Sequence, residues 1–172
     1  MGDAVEVTHF VTDQKALISL AGPANKQGRI AADNICGGSS HFHGSQGSSV
    51  LKLFGLTVAS TGINEKAAQA AGIAYDKVVL FPASHTTYYP GAQSMTMKVL
   101  YEKESLRLLG AQIVGGDSVD KRIDVLATAI RAKMTALELT ELDLSYAPPY
   151  SSAKDPVNMA GFMIEDLESG KV

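Results

Sequence analysis

The sequence predicts an α+β fold, a mostly antiparallel sheet of about four to five strands with helices packed on it. Three observations carry that prediction. Met95 to Tyr101 alternates Met95, Met97, Val99 and Tyr101 against Thr96 and Lys98, the period of a half-buried strand. Leu106 to Val114 follows across Glu102-Lys-Glu-Ser105 and reads as its hairpin partner. Val119, Ile123, Leu126 and Ile130 then form one apolar stripe of a strong helix. Strands that come in a run, with helices grouped around them, favour α+β over alternating βαβ units.

The remaining elements follow in chain order. Residues 1 to about 36 predict a short extended piece, then Leu20-Ala-Gly-Pro23 opening a helix, where proline suits the first turn. Ile30, Ala31 and Ile35 share one face of it, and Gly37-Gly38 stop it. Residues 37–49 are rich in Gly and Ser and read as a flexible loop or linker. Val50 to Ser60 has strand composition. Asn64 caps a short Ala-rich helix ending at Gly72. Lys77 to Ala83 is a further strand. Ser118 is the predicted cap of the strong helix. Thr135-Ala-Leu-Glu138 is a capping box for a shorter helix carrying Leu139 and Leu142. Ser152 and Asp155 have the same spacing ahead of Val157, Ala160 and Ile164, which starts a tail helix near 154.

Bulk properties bound the function classes. The 172 residues suffice for one domain with a core, or for one domain plus a remnant of another. Hydrophobic residues make up 45% and charged residues 19%, which argues against disorder. A net charge of −3 gives no electrostatic reason to expect nucleic acid or an anionic membrane as partner. Membrane spans need about 18 consecutive apolar residues, and the sequence has no such run. One cysteine excludes an internal disulfide framework, so a reducing, cytoplasmic setting is the expectation.

No complete catalytic apparatus is legible. Cys36 falls at a helix C-terminus, where the dipole disfavours a thiolate, so it reads as a passive small residue. His41 and His43 flank Phe42 and point the same way in an extended segment. With no further ligand at the right spacing, no metal site is assigned to them. His85 reads as a solvated loop histidine. Gly44-Ser-Gln-Gly47 and Gly115-Gly116 fit no phosphate-binding fingerprint. What stands out instead is aromatic. Tyr146-Ala-Pro-Pro-Tyr150 holds two phenols on a stiff, non-helical segment. Tyr88-Tyr89-Pro90-Gly91 is a second tyrosine loop. Tyrosine combines contact area, a hydroxyl and low entropy cost, so two such loops point to recognition.

Several ordered segments together resemble the FAD-dependent pyridine nucleotide-disulfide oxidoreductases. The likeness is strongest to the coenzyme A-disulfide reductases and the related NADH oxidases. The segments are Gly2-Asp3-Ala4, Leu20-Ala-Gly-Pro-Ala-Asn-Lys-Gln-Gly-Arg through Ile35, Gly47 to Phe54, Tyr88 to Gly91, Leu109 to Gly115, Val119 to Ala127, and Ala-Pro-Pro-Tyr150-Ser with Lys154-Asp-Pro156. They span essentially the whole chain.

The resemblance implies that residues 1–48 are the C-terminal remnant of an FAD domain with a linker, and that 49–172 are a dimerisation domain. The interior-like opening Gly2-Asp3-Ala4-Val5 suits a piece of a longer enzyme. It implies a flavin-contacting role for Asp3 and a place near the flavin ring for Pro23, Ala24 and Asn25. It implies that Tyr88 and Tyr146, with Tyr89 and Tyr150 next, reach the partner subunit's active site and contact the substrate disulfide. The implied parent is a homodimer that uses FAD and NAD(P)H on coenzyme A disulfide or a related small disulfide; the alternative is a flavin-dependent NADH oxidase. Both nucleotide-binding glycine motifs and the family's N-terminal redox cysteine are missing. The isolated chain is therefore expected to bind neither cofactor tightly and to be catalytically incomplete. A less favoured reading is an independent metal-dependent hydrolase built on His41 and His43.

Overall fold

The computed structural model describes residues 1–171. Its centre is a five-stranded antiparallel sheet in the order β3-β4-β7-β6-β5. The strands are β3 (Ser49–Leu53), β4 (Leu56–Gly62), β5 (Tyr75–Leu80), β6 (Met95–Glu102) and β7 (Leu108–Gly115). A separate two-stranded ribbon joins β1 (Glu6–Thr8) to β2 (Lys15–Leu17). Four helices accompany them: α1 (Ala21–Ile35), α2 (Glu65–Ala70), α3 (Val119–Arg131) and α4 (Pro156–Glu168). The fold is α+β, as the sequence pattern dictates.

The period-2 reading of β6 holds residue by residue. Met95, Met97, Val99 and Tyr101 all enter the main core with Ala111 and Ile113 of β7. The α3 stripe of Val119, Ile123, Leu126 and Ile130 covers that face, and Val157, Ala160 and Ile164 of α4 complete it. Tyr101 is fully buried, and its hydroxyl donates to Glu168 at 2.7 Å, tethering the end of α4. On the opposite face a smaller cluster of Ile63, Ala68, Leu100 and Leu109 sits under α2. There Glu65 bridges Lys77 and Lys98, and those two partners pull its carboxyl down to about 2.

Several local expectations are corrected. Val50 to Ser60 is not one strand: Phe54, at φ 51°, and Gly55 break it into the β3–β4 hairpin. β5 stops at Leu80, and Ala83 makes only an isolated bridge to Ser94. β7 begins at Leu108, after Leu106 at φ 58°. Ser118 does not cap α3 with its side chain. Its backbone is left-handed at φ 60° and its hydroxyl donates to Asp117 instead. The Thr135–Glu138 capping box forms, but it closes a single 3₁₀ turn at Leu137–Leu139 that leaves Leu142 beyond it. Asp155 rather than Ser152 caps α4, accepting from the Val157 amide at 3.0 Å. Asn64 caps α2 as expected, through the Ala67 amide.

Residues 1–48 lie against the C-terminal half of α3 and the end of β4. Gln46 donates to the Ala127 carbonyl at 2.7 Å and to the Thr61 hydroxyl at 3.2 Å. Arg131 stacks over the Phe10 ring at 4.1 Å. The Gly/Ser-rich segment is thus tied down rather than a free linker, because the Ser45 backbone bonds to Thr8 and Phe10 and the Gln46 side chain bonds to α3 and β4. α1 buries only Gln27; Ile35, read as part of its apolar face, is 86% exposed.

Backbone crowding fixes the β4–β7 crossing at its α2 end. A Cβ on Gly110 would fall 1.9 Å from the Ile63 carbonyl oxygen. Gly110→Ala is therefore expected to destabilise the fold by about 3 kcal/mol, because backbone rather than a flexible side chain must move. Urea denaturation of the variant checks this, with a lowered midpoint expected.

Candidate functional site

The two tyrosine loops meet at one end of the sheet. One loop spans 81–94, between β5 and β6; the other spans 145–155, ahead of α4. The Tyr88 and Tyr146 hydroxyls stand 3.4 Å apart although 58 residues separate them. Both rings are exposed, at 75% and 47%. Hydrogen bonding to Tyr88 raises the Tyr146 phenol above its ordinary value, so it keeps its proton at neutral pH. Tyr89 packs edge-on against His85, and Tyr150 is exposed. The sequence pattern named all four tyrosines; the structure pairs Tyr88 with Tyr146 and leaves Tyr89 and Tyr150 outside that contact.

The 145–155 loop owes its course to Arg122. This guanidinium is fully buried on α3 and donates to Asp155 at 3.0 Å, to the Ser151 hydroxyl at 3.2 Å, and to the Tyr150 carbonyl at 3.3 Å. Asp155 in turn accepts from the Ser151 hydroxyl at 2.6 Å and from the first-turn amide of α4. One carboxylate therefore neutralises a buried cation, caps a helix and ends the tyrosine loop. The sequence reading found Asp155 only as a helix-start signal and passed over Arg122. The available signal was a cation at i+3 from Val119, on the stripe otherwise filled by Ile123 and Leu126.

His85, expected to be solvated, is 6% exposed. Its Nδ1–H donates to the Thr86 carbonyl at 3.1 Å, and its ring supports Tyr89. Nothing in the local sequence distinguishes it, because its burial comes from packing across the loop.

The second group of predicted residues lies elsewhere. The Gly2 amide donates to Gln27 Oε1 at 3.1 Å, and Ser19 donates to the Asp3 carbonyl at 2.9 Å. Asp3 is thereby held beside the start of α1, which carries Pro23, Ala24 and Asn25. No side chain caps that helix start. A groove of ≈ 920 Å³ separates α1 from α3 and is lined by Pro23, Lys26, Arg29, His43 and Arg131, among others. His41 also borders it. No group of three His, Cys, Asp or Glu side chains with metal-binding geometry occurs among the described residues. Cys36 is a free, exposed thiol just past α1. No helix among the described residues is long and apolar enough to cross a membrane.

With this geometry in hand, comparison with known proteins defines the class. Residues 48–156 match the family described as pyridine nucleotide-disulphide oxidoreductase, dimerisation domain, and the chain belongs to that family. Among curated relatives, the coenzyme A disulfide reductase of Staphylococcus epidermidis is 37% identical over 163 residues, covering 94% of this chain and 37% of that protein. Among solved structures, the reduced CoADR-RHD protein of Bacillus anthracis is 51% identical with a TM-score of 0.95, covering 100% of this chain and 31% of that one. The NAD-dependent persulfide reductase of A. fulgidus is 44% identical with a TM-score of 0.96, covering 98% of this chain and 31% of that one. Water-forming NADH oxidase, at 24% identity, shares the fold. This chain spans between about 31% and 38% of the length of these relatives.

Removing the Asp155 carboxylate leaves Arg122 buried and unpaired, which costs about 3–5 kcal/mol. Asp155→Ala is expected to lower stability by that amount and to loosen the 145–155 loop, whereas joint replacement by Arg122→Met and Asp155→Leu recovers most of the stability. Guanidinium denaturation of both variants checks this.

Proposed function

We propose that this chain supplies the subunit interface and a pair of substrate-facing tyrosines to a homodimeric flavoenzyme that reduces coenzyme A disulfide or a related small disulfide. The observation that carries the reading is the phenol pair of Tyr88 and Tyr146, both exposed and in contact across two separate loops. Exposed phenols suit a disulfide whose cleavage releases a thiolate. A phenol of the pair, with its O–H turned to the substrate, donates a hydrogen bond or the proton itself to the departing coenzyme A sulfur, a general-acid role. Tyr89 and Tyr150 flank the pair and shape its rim.

Assembly is supported by the uncovered apolar surface at the same end of the sheet. Phe54 is 93% and Phe81 74% exposed, with Leu51, Leu53 and Leu56 beside the hairpin tip. A two-fold dimer would use the same patch on both copies and bring each tyrosine pair to the other subunit. A single free cysteine suits a reducing, cytoplasmic setting.

The N-terminal residues fit a flavin. The uncapped start of α1 leaves backbone N–H groups free, and the buried Gln27 Nε2 has no hydrogen-bond partner. Asp3 would hold the ribityl chain, while Pro23, Ala24 and Asn25 would lie against the ring, with the helix dipole favouring negative charge there. Bound FAD would carry electrons from NAD(P)H to the disulfide. Residues 1–48 thus serve as part of a flavin domain, and 49–172 as the dimerisation domain.

The test is the full-length enzyme carrying Tyr88→Phe and Tyr146→Phe. Its kcat for coenzyme A disulfide is expected to fall by about 100-fold or more, while reduction of its flavin by NAD(P)H stays unchanged. Wild-type turnover in the double variant would overturn the reading.

A further inference from the structure

The two tyrosine loops belong to different parts of the chain, so something must set the distance between their phenols. Arg122 and Asp155 fix one loop, and none of their hydrogen bonds or ion pairs reaches into 81–94. Every polar group of Thr86, by contrast, is engaged, and two of its four hydrogen bonds cross between the loops. Its amide donates to the Ser151 carbonyl at 3.1 Å. Its hydroxyl donates to the Pro148 carbonyl at 3.1 Å. Its own carbonyl accepts from the Tyr89 amide at 3.1 Å, closing the turn that carries Tyr88, and from His85 Nδ1 at 3.1 Å. The side-chain bond falls on Pro148, midway between Tyr146 and Tyr150. Thr86 therefore ties the Tyr88 turn to the middle of the opposite loop, while the buried His85 ring braces the turn from behind.

We infer that Thr86 is the positioning residue that brings the Tyr88 and Tyr146 phenols together, with His85 holding its carbonyl. The inference rests on the reading of that pair as substrate-facing, but its geometry stands apart from any turnover. Among the described residues the Thr86 hydroxyl is the one hydrogen-bond donor to the Pro148 carbonyl, and it reaches it from across the gap. Valine has the same shape without the hydroxyl, so Thr86→Val removes that link at little cost in packing. Serine keeps it.

The test is NMR of this chain with ring-labelled tyrosine, reading the ring-to-ring NOE between Tyr88 and Tyr146, assigned with the Tyr146→Phe variant. The NOE is expected in the unsubstituted chain and in Thr86→Ser, and is expected to be lost in Thr86→Val while the sheet amide spectrum is unchanged. An undiminished NOE in Thr86→Val would overturn the inference. Should Thr86→Val fail to fold, hydrogen exchange of the unsubstituted chain decides. The amides of Thr86 and Tyr89 on one loop, and of Tyr150 and Ser151 on the other, then exchange at one common rate; well-separated rates overturn the inference. These readouts involve no flavin or substrate. They can therefore fail while the tyrosines remain catalytic, or succeed while the proposed reaction proves wrong.

Discussion

The ion pair between Arg122 and Asp155 is the constraint from which the rest of the site follows. A guanidinium with no solvent exposure is tolerable only when its charge is matched, as Asp155 matches it here, although the buried Arg122 Nε is left without a partner. Here the matching carboxylate also begins α4, so the pair fixes α4 against α3 and sets where the preceding loop must end. Ser151, bonded to both partners, draws the loop inward, and the Tyr150 carbonyl adds a further acceptor. Two prolines stiffen what lies between. The consequence is a polar knot under the loop and phenols above it. The buried side is rigid and the exposed side is available.

A second division of labour runs along the sheet. Its inner face is a conventional apolar core, closed by α3 and α4. Its outer face is covered by α2 only at one end, where Glu65 is shared by two lysines. Toward the tyrosine end that face stays open, and the β3–β4 hairpin exposes leucines and Phe54. Such uncovered apolar surface is unusual for an isolated domain and ordinary for one that works in an assembly. α1 is similarly uncovered, burying a single glutamine.

Much of this was legible in the sequence, and the exceptions have physical causes. Strand β6 and helix α3 declare themselves through periodicity, because each sends one regularly spaced set of apolar side chains into the main core. The β3–β4 hairpin was invisible because Phe54 at positive φ turns the chain without a Gly-first turn signature, within a run of continuous strand composition. Ser118 looked like a cap by type and position, yet its left-handed backbone aims the hydroxyl away from the helix. The tyrosines were found because proline and aromatic composition mark stiff recognition loops. Their partners Arg122 and Thr86 were missed because each acts across more than 25 residues of sequence, and one residue type alone does not reveal whom it meets. His85 works within its own loop, on Thr86 and Tyr89, where no local pattern marks its burial.

The central claim is that this domain completes an active site in its partner rather than its own. Mixed dimers of the full-length enzyme test it most directly. One subunit would lack the redox cysteine expected in its flavin domain but keep its tyrosines; the other would keep the cysteine but carry Tyr88→Phe and Tyr146→Phe. If the tyrosines act across the interface, each mixed dimer holds one intact site, and disulfide reduction rises well above that of either parent homodimer. If they act within their own subunit, no mixed dimer has a complete site, and activity no higher than that of the parents would contradict the account.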